Sequence, residues 1–433
     1  MSSHPEPESA YAWWRLMASL ALMTIGGAGM YAVTVVLPAV QADFGVDRAD
    51  ASLPYTLTML GFGFGGVLMG RLADRFGVML PVVIGAAGLG AGFVLAGLAG
   101  SLWLFCLAQG VLLGLFGTSA TFVPLVADTS LWFDRRRGIA MAICMSGNYV
   151  AGAAWPPVIQ HFTQSAGWRP TYIGIGIFCL LTMLPLAWVY RRRAPLAAAT
   201  PVATGAATAT APTVPTTAPT TAPATTTKTA TERPLGMSPA ALQALLTVAG
   251  LACCVAMAMP QVHIVAYCSD LGIGPARGAQ MLSLMLGMGI ISRLVSGWIA
   301  DRIGGLRTLL LGSVLQGVAL FAFLFADGVV SLYLVSAMFG LFQGGIVPSY
   351  PLVVREYFTP KEAGARVGTV LLATLLGMAL GGWMSGAIFD WTGSYRAAFV
   401  NGIAWNLLNL SICVFLLLRV KRLGVRFRRL GVA

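Results

Sequence analysis

The sequence predicts an all-α membrane protein of twelve transmembrane helices in two six-helix bundles, and three observations carry that prediction. Of its 433 residues 57% are hydrophobic and 10% charged, with a mean hydropathy of +0.80, too apolar for a water-soluble domain. Apolar runs long enough to cross a bilayer, about 20 residues each, recur along the whole chain. One charged turn also occurs twice: GRLADRFG at 70–77 returns as GWIADRIG at 297–304, an offset of 227 residues, as a duplicated chain would show.

Residues 1–12 read as a short polar tail, with Trp13 and Trp14 as interface anchors. Six spans follow at roughly 13–40, 51–70, 78–99, 102–127, 137–161 and 168–190, making an N-terminal bundle over 13–190. Residues 191–237 are mostly Ala, Thr and Pro, a composition that packs no core and reads as a flexible linker. Six more spans, at roughly 238–267, 278–298, 306–326, 330–355, 363–388 and 396–419, form a C-terminal bundle over 238–419, and a basic tail occupies 420–433.

The net charge of +12 is a topology signal. Of 27 Lys and Arg, four (Arg48, Arg169, Arg277, Arg396) fall on one side of these spans and Arg293 falls inside span 8, which leaves 22 on the other side. That asymmetry places the basic side and both termini in the cytoplasm, predicts a multi-pass protein of the inner cell membrane, and argues against a nucleic-acid partner. The N-terminus has no basic region ahead of a short apolar core, so no cleaved signal is expected. The seven cysteines lie in or beside apolar runs with no CxxC pair and read as packing residues.

Further matches support the duplication. Asp43-Phe44-Gly45 recurs as Asp270-Leu271-Gly272, and Arg169 with Tyr172 recurs as Arg396 with Phe399, both at 227. Two parallel halves that swivel about a site between them is the architecture such a repeat favours. In the repeated turn Gly70 and Gly77 allow close approach of two helix ends. Arg71, Asp74 and Arg75, with Asp301 and Arg302 of the second copy, are suited to pair across the seam between halves and hold one face shut. Arg135, Arg136 and Arg137 mark the entry to span 5 on the same side.

On these residues the chain resembles the major facilitator superfamily, since Gly70 to Gly77 is similar to its GxxxDRxGR signature without the last basic residue. Within it, Trp132-Phe133-Asp134-Arg135-Arg136-Arg137-Gly138 running to Ser146-Gly147 resembles the span 5 entry of the monocarboxylate porters. Met259-Pro260-Gln261-Val262-His263, followed by Asp270-Leu271-Gly272 and thirty residues after His263 by Arg293, looks like the prokaryotic branch of that family and the related oxalate/formate porters. The resemblance implies a carrier of organic acids. GNYVAGAAWPP at 147–157 lacks the GP pair of proton-driven drug exporters. The chain also departs from its kin: position 289 is Gly where the animal porters carry Asp, Ala18 to Val40 holds no Lys, and 367–388 holds no basic residue. One fixed cation implies one carboxylate, since a second carboxylate would lie unpaired in a low-dielectric site.

That cation is Arg293, about two turns, roughly 12 Å, from Asp301 and Arg302. An arginine at hydrocarbon depth costs about 2.5–3.5 kcal/mol, so it faces a cavity or a partner, and its fork matches a carboxylate. Pro260 is expected to loosen span 7, and His263 beside it is a candidate for substrate contact and, with Arg293, for proton coupling. Asn148, Tyr31, Thr121, Gln343 and Tyr350 are the candidate polar lining. All 15 acids read as lying in tails, turns or helix ends.

The expected function is therefore secondary active transport of a small monocarboxylate, lactate- or pyruvate-like, with a proton, by alternating access and as a monomer. An organic-anion exchanger, a carrier of larger aromatic or sugar acids, and a transport-fold sensor are the alternatives. No nucleophile with a base, metal-ligand set or nucleotide loop is present, so neither an enzyme nor a cofactor is expected.

Overall fold

The computed structural model describes residues 8–133, 135–192 and 234–429. Twelve helical spans follow one another: α1 Ala10–Phe44, α2 Arg48–Phe76, α3 Met79–Gly97, α4 Leu102–Trp132, α5 Arg137–Ala166 and α6 Trp168–Arg191, then α7 Pro239–Asp270, α8 Pro275–Ile303, α9 Gly305–Phe323, α10 Val329–Tyr357, α11 Pro360–Thr392 and α12 Tyr395–Arg429. Among the described residues eleven of them are long and apolar enough to cross a membrane. The exception, α5, is diluted by Asn148, Tyr149, Trp155, Pro156 and Pro157.

The boundaries depart from expectation at both ends. Ser9 accepts a hydrogen bond from the Ala12 N–H at 3.4 Å and starts α1 at Ala10, inside the expected tail. α12 continues to Arg429 rather than stopping at 419, because the basic stretch is rich in Arg and holds no proline. Most of the linker expected over 191–237 lies outside the described residues.

Three spans are interrupted. α1 steps at Gly27, between Ala10–Gly26 and Ala28–Phe44. α4 is π-helical over Ala108–Thr118 and turns before Val123–Trp132, and its counterpart α10 breaks at Gly344 and Gly345 between Val329–Gln343 and Ile346–Tyr357. Irregular backbone at membrane depth is tolerated where protein or a cavity covers it. Against expectation, α7 runs unbroken through Pro260, and almost every residue from Ala252 to Cys268 is buried; close neighbours hold the helix together where proline removes one bond.

The duplication is visible in the backbone. Gly45 and Gly272, one offset apart, take φ of 62° and 72°, and Gly77 and Gly304 take 87° and 85°. These left-handed angles end helices at matched places, and only glycine adopts them without strain.

Within the first half α3 packs on α6 and α2 on α4; within the second, α7 packs on α11 and α12. All seven cysteines are buried and free. Arg15 in α1 and Asp128 in α4 form a buried bidentate pair at 2.7 and 2.8 Å. Arg15 also lies 4.9 Å from the Trp132 ring and 4.5 Å from Tyr190. Asp128 lies close to the end of α4, four residues before Trp132, and Arg15 compensates its charge.

The halves meet through α2 with α11 and α5 with α8, with α1 against α7. The seam runs from Arg48 and Ala49 beside Gly386, through Tyr55 beside Gly382, to Gly63 beside Leu372. Thr56 donates to the Ala379 carbonyl at 3.0 Å, and Ser283 of α8 donates to the Ala153 carbonyl of α5. Toward the basic turns no such bond is recorded among the described residues.

Candidate functional site

Arg293 sits in α8 at the middle of the seam, half-buried. Its guanidinium carbon lies 4.7 Å from the centroid of the Tyr149 ring, across the seam on α5. No described carboxylate pairs with it, and its Nε is buried without a hydrogen-bond partner. By contrast Arg15, Arg48, Arg169, Arg366 and Arg396 are all paired with acids. A cation over an aromatic face gains about 0.5–2 kcal/mol, which steadies the side chain while leaving its donor edge for an anion.

Gly289 explains the arrangement. A Cβ there would fall closer than 3.0 Å to the Tyr149 ring, so the space a side chain at 289 would take is filled by an aromatic ring from the other half. Tyr149 is not among the candidates that the sequence suggests. Its only sequence signal is a glycine one helical turn before the arginine, which reads as packing until the two helices are seen together.

Three candidates from the first half gather close by. Tyr31 of α1 is buried and donates to Asn148 Oδ1 of α5 over a long 3.5 Å, and a Cβ at Gly152 would meet the Tyr31 ring. Asn148 and Thr121 line a cavity of about 10 Å³ with Met23, Gly27, Met30, Phe62, Thr118 and Phe122, room for about one water. Thr121 donates to the Thr118 carbonyl at 2.9 Å, so its hydroxyl ties the α4 turn together as well as walling the cavity.

In the second half Gln343, at the break in α10, accepts from Gln261 Nε2 at 2.7 Å, and its own Nε2 is buried without a partner. Ser292, next to Arg293, likewise has a buried hydroxyl without a partner, and a Cβ at Gly344 would meet it. Unpaired buried donors are costly; these two lie toward α10 and α7 of the second half, whereas Arg293 faces Tyr149 of the first. Tyr350 lies elsewhere. It is fully buried in the second half, donating to Asn409 Oδ1 at 3.1 Å in a network with Ser313, so its polar tip is used in packing rather than in a lining.

His263 also lies elsewhere, which corrects its expected contact with Arg293. It is fully buried, with Nε2 2.8 Å from the Gly382 carbonyl and Nδ1 3.0 Å from the Tyr395 hydroxyl. A carbonyl only accepts, so Nε2 carries the hydrogen and Nδ1 accepts from Tyr395. Tyr395 in turn accepts from Arg48 Nη1 at 2.8 Å. Arg48, 7% exposed, donates twice to Asp270 at 3.1 Å and lies 4.6 Å from the Phe389 ring. Asp390 accepts the N–H groups of Arg48 and Ala49 at 2.9 and 2.8 Å, capping α2 from α11. α2 of one half is thereby latched to α7, α11 and α12 of the other, and nothing in the local sequence marks Arg48 and Asp270 as more than loop charges.

The basic turns present the opposite picture. Arg71, Asp74, Arg75, Asp301 and Arg302 are exposed and form no ion pair across the seam among the described residues. Arg75 lies over Phe76 of its own half, and Arg302 lies 3.4 Å from the Trp298 centroid of its own. Among the described residues the pairing expected to shut this face is not formed, whereas the Arg48 face is latched. Gly70 and Gly77 bracket the first turn, with Gly77 ending α2. Arg135 and Arg136 are exposed, the Arg136 N–H donating to Glu8 at 2.8 Å. Arg137 opens α5, and its side chain lies outside the described residues. No cluster of three or more His, Cys, Asp or Glu suited to a metal occurs among the described residues.

A family model described as Major Facilitator Superfamily matches residues 17–335 and 269–430. The chain is 28% identical to monocarboxylate transporter 13 of Rattus norvegicus over 376 residues, covering 84% of this chain and 78% of that protein. It is 25% identical to monocarboxylate transporter 12 of Mus musculus over 412 residues, covering 89% and 82%. Among solved structures, a bacterial homolog of the human lysosomal transporter Spinster, inward-facing and occupied, superposes with a TM-score of 0.71 at 14% identity, covering 96% of this chain and 98% of that one. A mutant of the nucleoside transporter NupG gives 0.69 at 12%, covering 94% and 99%.

Proposed function

We propose that this chain, which belongs to the Major Facilitator Superfamily and is a membrane transporter rather than an enzyme, carries a small monocarboxylate across the bilayer on Arg293 by alternating access. The carrying observation is the guanidinium itself: stacked on Tyr149 of the other half, unpaired with any described acid, and with its Nε buried without a partner. A carboxylate meets such a fork with two parallel charge-assisted hydrogen bonds. Met23, Met30, Phe62 and Phe122 offer apolar wall for a short hydrocarbon body, and with room there for about one water, admission of a guest requires these side chains to shift. The printed names of the relatives support the carboxylate class.

In this reading the basic turns face the cytoplasm, the Arg48 face is the outer one, and the state seen is shut on that outer face. A proton accompanies the acid, so that the pair crosses without net charge. His263 serves the outer latch instead of the substrate. Reconstituted into proteoliposomes, the protein is expected to accumulate labelled lactate or pyruvate under an inward proton gradient. Uptake that needs internal anion and ignores the gradient would favour exchange, and saturable binding without flux would favour a sensor. Absence of both binding and flux for short monocarboxylates would overturn the substrate class.

A further inference from the structure

The duplication predicts a contact that the structure does not make. In the first half Asp43, at the end of α1, holds Arg169, at the start of α6, through Arg169 Nη2 at 2.8 Å and Nε at 3.1 Å. Their counterparts one offset on are Asp270, at the end of α7, and Arg396, at the start of α12. That second pair is not formed. Asp270 takes Arg48 from the opposite half, and Arg396 turns to Asp327 at 3.0 Å.

The reason is legible in the sequence. The counterpart of Arg48 is Pro275, which carries no charge, so that position offers no rival for Asp43, which keeps its α6 arginine. The counterparts of Asp390 and His263 are Thr163 and Val36. The latch is therefore an asymmetric addition to a symmetric scaffold, and Asp270 is the member taken from the scaffold's own ion pair.

Arg396 remains in position to reclaim it. It follows Tyr395, whose ring packs 5.5 Å from Tyr267, and Tyr267 lies three residues before Asp270 on α7. Its present tie to Asp327 is exposed on both sides, 64% and 58%, and pairs of that kind are weak. α7 and α12 belong to the same half, so they stay together when α2 moves away.

We propose that Asp270 is an exchange carboxylate: it holds Arg48 while the latched face is shut and passes to Arg396 when the halves part. This assigns Asp270 and Arg396 a place in the transport cycle, and it rests on the alternating-access reading while being independent of the substrate. Opening the face strips Asp270 of Arg48. Capture by Arg396 restores the ion pair of the first half, so the open state does not retain an unpaired acid.

The test is a distance measurement on the full chain in nanodiscs, with spin labels at Gly100→Cys in the first half and Val330→Cys in the second, both exposed near the latched face. The seven native cysteines are buried. Arg48→Gln is expected to raise the long-distance population. In the parent chain Arg396→Gln should lower that population, by up to about fivefold on the scale of an exposed ion pair, Arg396→Lys should largely restore it, and Asp327→Asn should raise it, whereas beside Arg48→Gln, which frees Asp270 in both states, Arg396→Gln should have little effect. Beside Asp270→Asn, Arg396→Gln should likewise have no effect. Two distances whose balance in the parent ignores Arg396, or an Arg396→Gln effect that persists beside Asp270→Asn, overturns the exchange alone. A single distance in every variant, Arg48→Gln included, overturns alternating access and the exchange with it.

Discussion

Replacing Arg293 with Gln removes the charge and the fork while keeping a polar side chain of comparable length. Its cost follows from the site. Each hydrogen bond between a guanidinium and a carboxylate contributes about 1.5–3 kcal/mol, and a bidentate contact makes two. Two sum to about 3–6 kcal/mol; Arg293 is half-buried rather than dry, so solvent screening lowers this to about 2–4 kcal/mol. The stacking on Tyr149 is present with and without substrate and cancels. The dissociation constant for a short monocarboxylate should therefore rise about 30- to 700-fold at 1.4 kcal/mol per decade. Arg293→Lys, which keeps the charge and loses the fork, should fall between, near tenfold. Calorimetric titration on the purified protein measures both, with the thermal midpoint as a check on folding. A folded Arg293→Gln protein that binds within threefold of the parent would refute the assignment of the carboxylate to this residue.

Tyr149→Phe should preserve the ring beneath Arg293 and retain both stability and binding within about twofold, whereas Tyr149→Leu loses an interaction of about 0.5–2 kcal/mol that is present with and without substrate, so it should lower the thermal midpoint and change binding in the same titration much less than Arg293→Gln does. Gly289→Ala places a methyl group within the space of the Tyr149 ring; overpacking of about 1–3 kcal/mol should appear as a lower midpoint together with weaker substrate binding. Asp128→Asn breaks a pair in which both side chains are 3% exposed and should cost about 3–5 kcal/mol, read as a fall in thermal midpoint, while Arg15→Met with Asp128→Leu should recover much of it. Gly340→Ala drives a methyl group into the Met285 carbonyl, which should force α8 from α10 and lower the yield of folded protein in size-exclusion chromatography.

The helices and their repeat were legible because both are written at short range. Apolar runs mark the spans, and the 227-residue offset marks matched ends whose glycines adopt matching angles. Arg293 was legible for the same reason, as one charge out of place in an oily run. What was not legible depends on which helices are neighbours. Tyr149 reads as a packing aromatic until Gly289 is set opposite it. Asp128 lies one residue past the predicted end of span 4, so its burial against Arg15 is invisible in the sequence. Arg48 and Asp270 are 222 positions apart and each passes for an ordinary loop charge. A subtler mark was present: Arg48 is offset to a proline, and a lone departure from a repeat is where a function specific to one copy can be sought. His263 misleads because proximity to Pro260 suggests a cavity, whereas a tightly packed helix absorbs a proline without opening.

The weak hydropathy of α5 bears on how the protein is made. A segment carrying Asn148, Tyr149, Trp155 and a pair of prolines has little drive of its own to leave the insertion channel for lipid, since recognition there follows summed residue hydrophobicity. It has to be escorted by helices already inserted, and α1, which it packs against, emerges from the ribosome first. The residues that prepare this helix for a polar guest thus make its biogenesis depend on its elder neighbour, and damage to α1 should surface first as a topological error in α5.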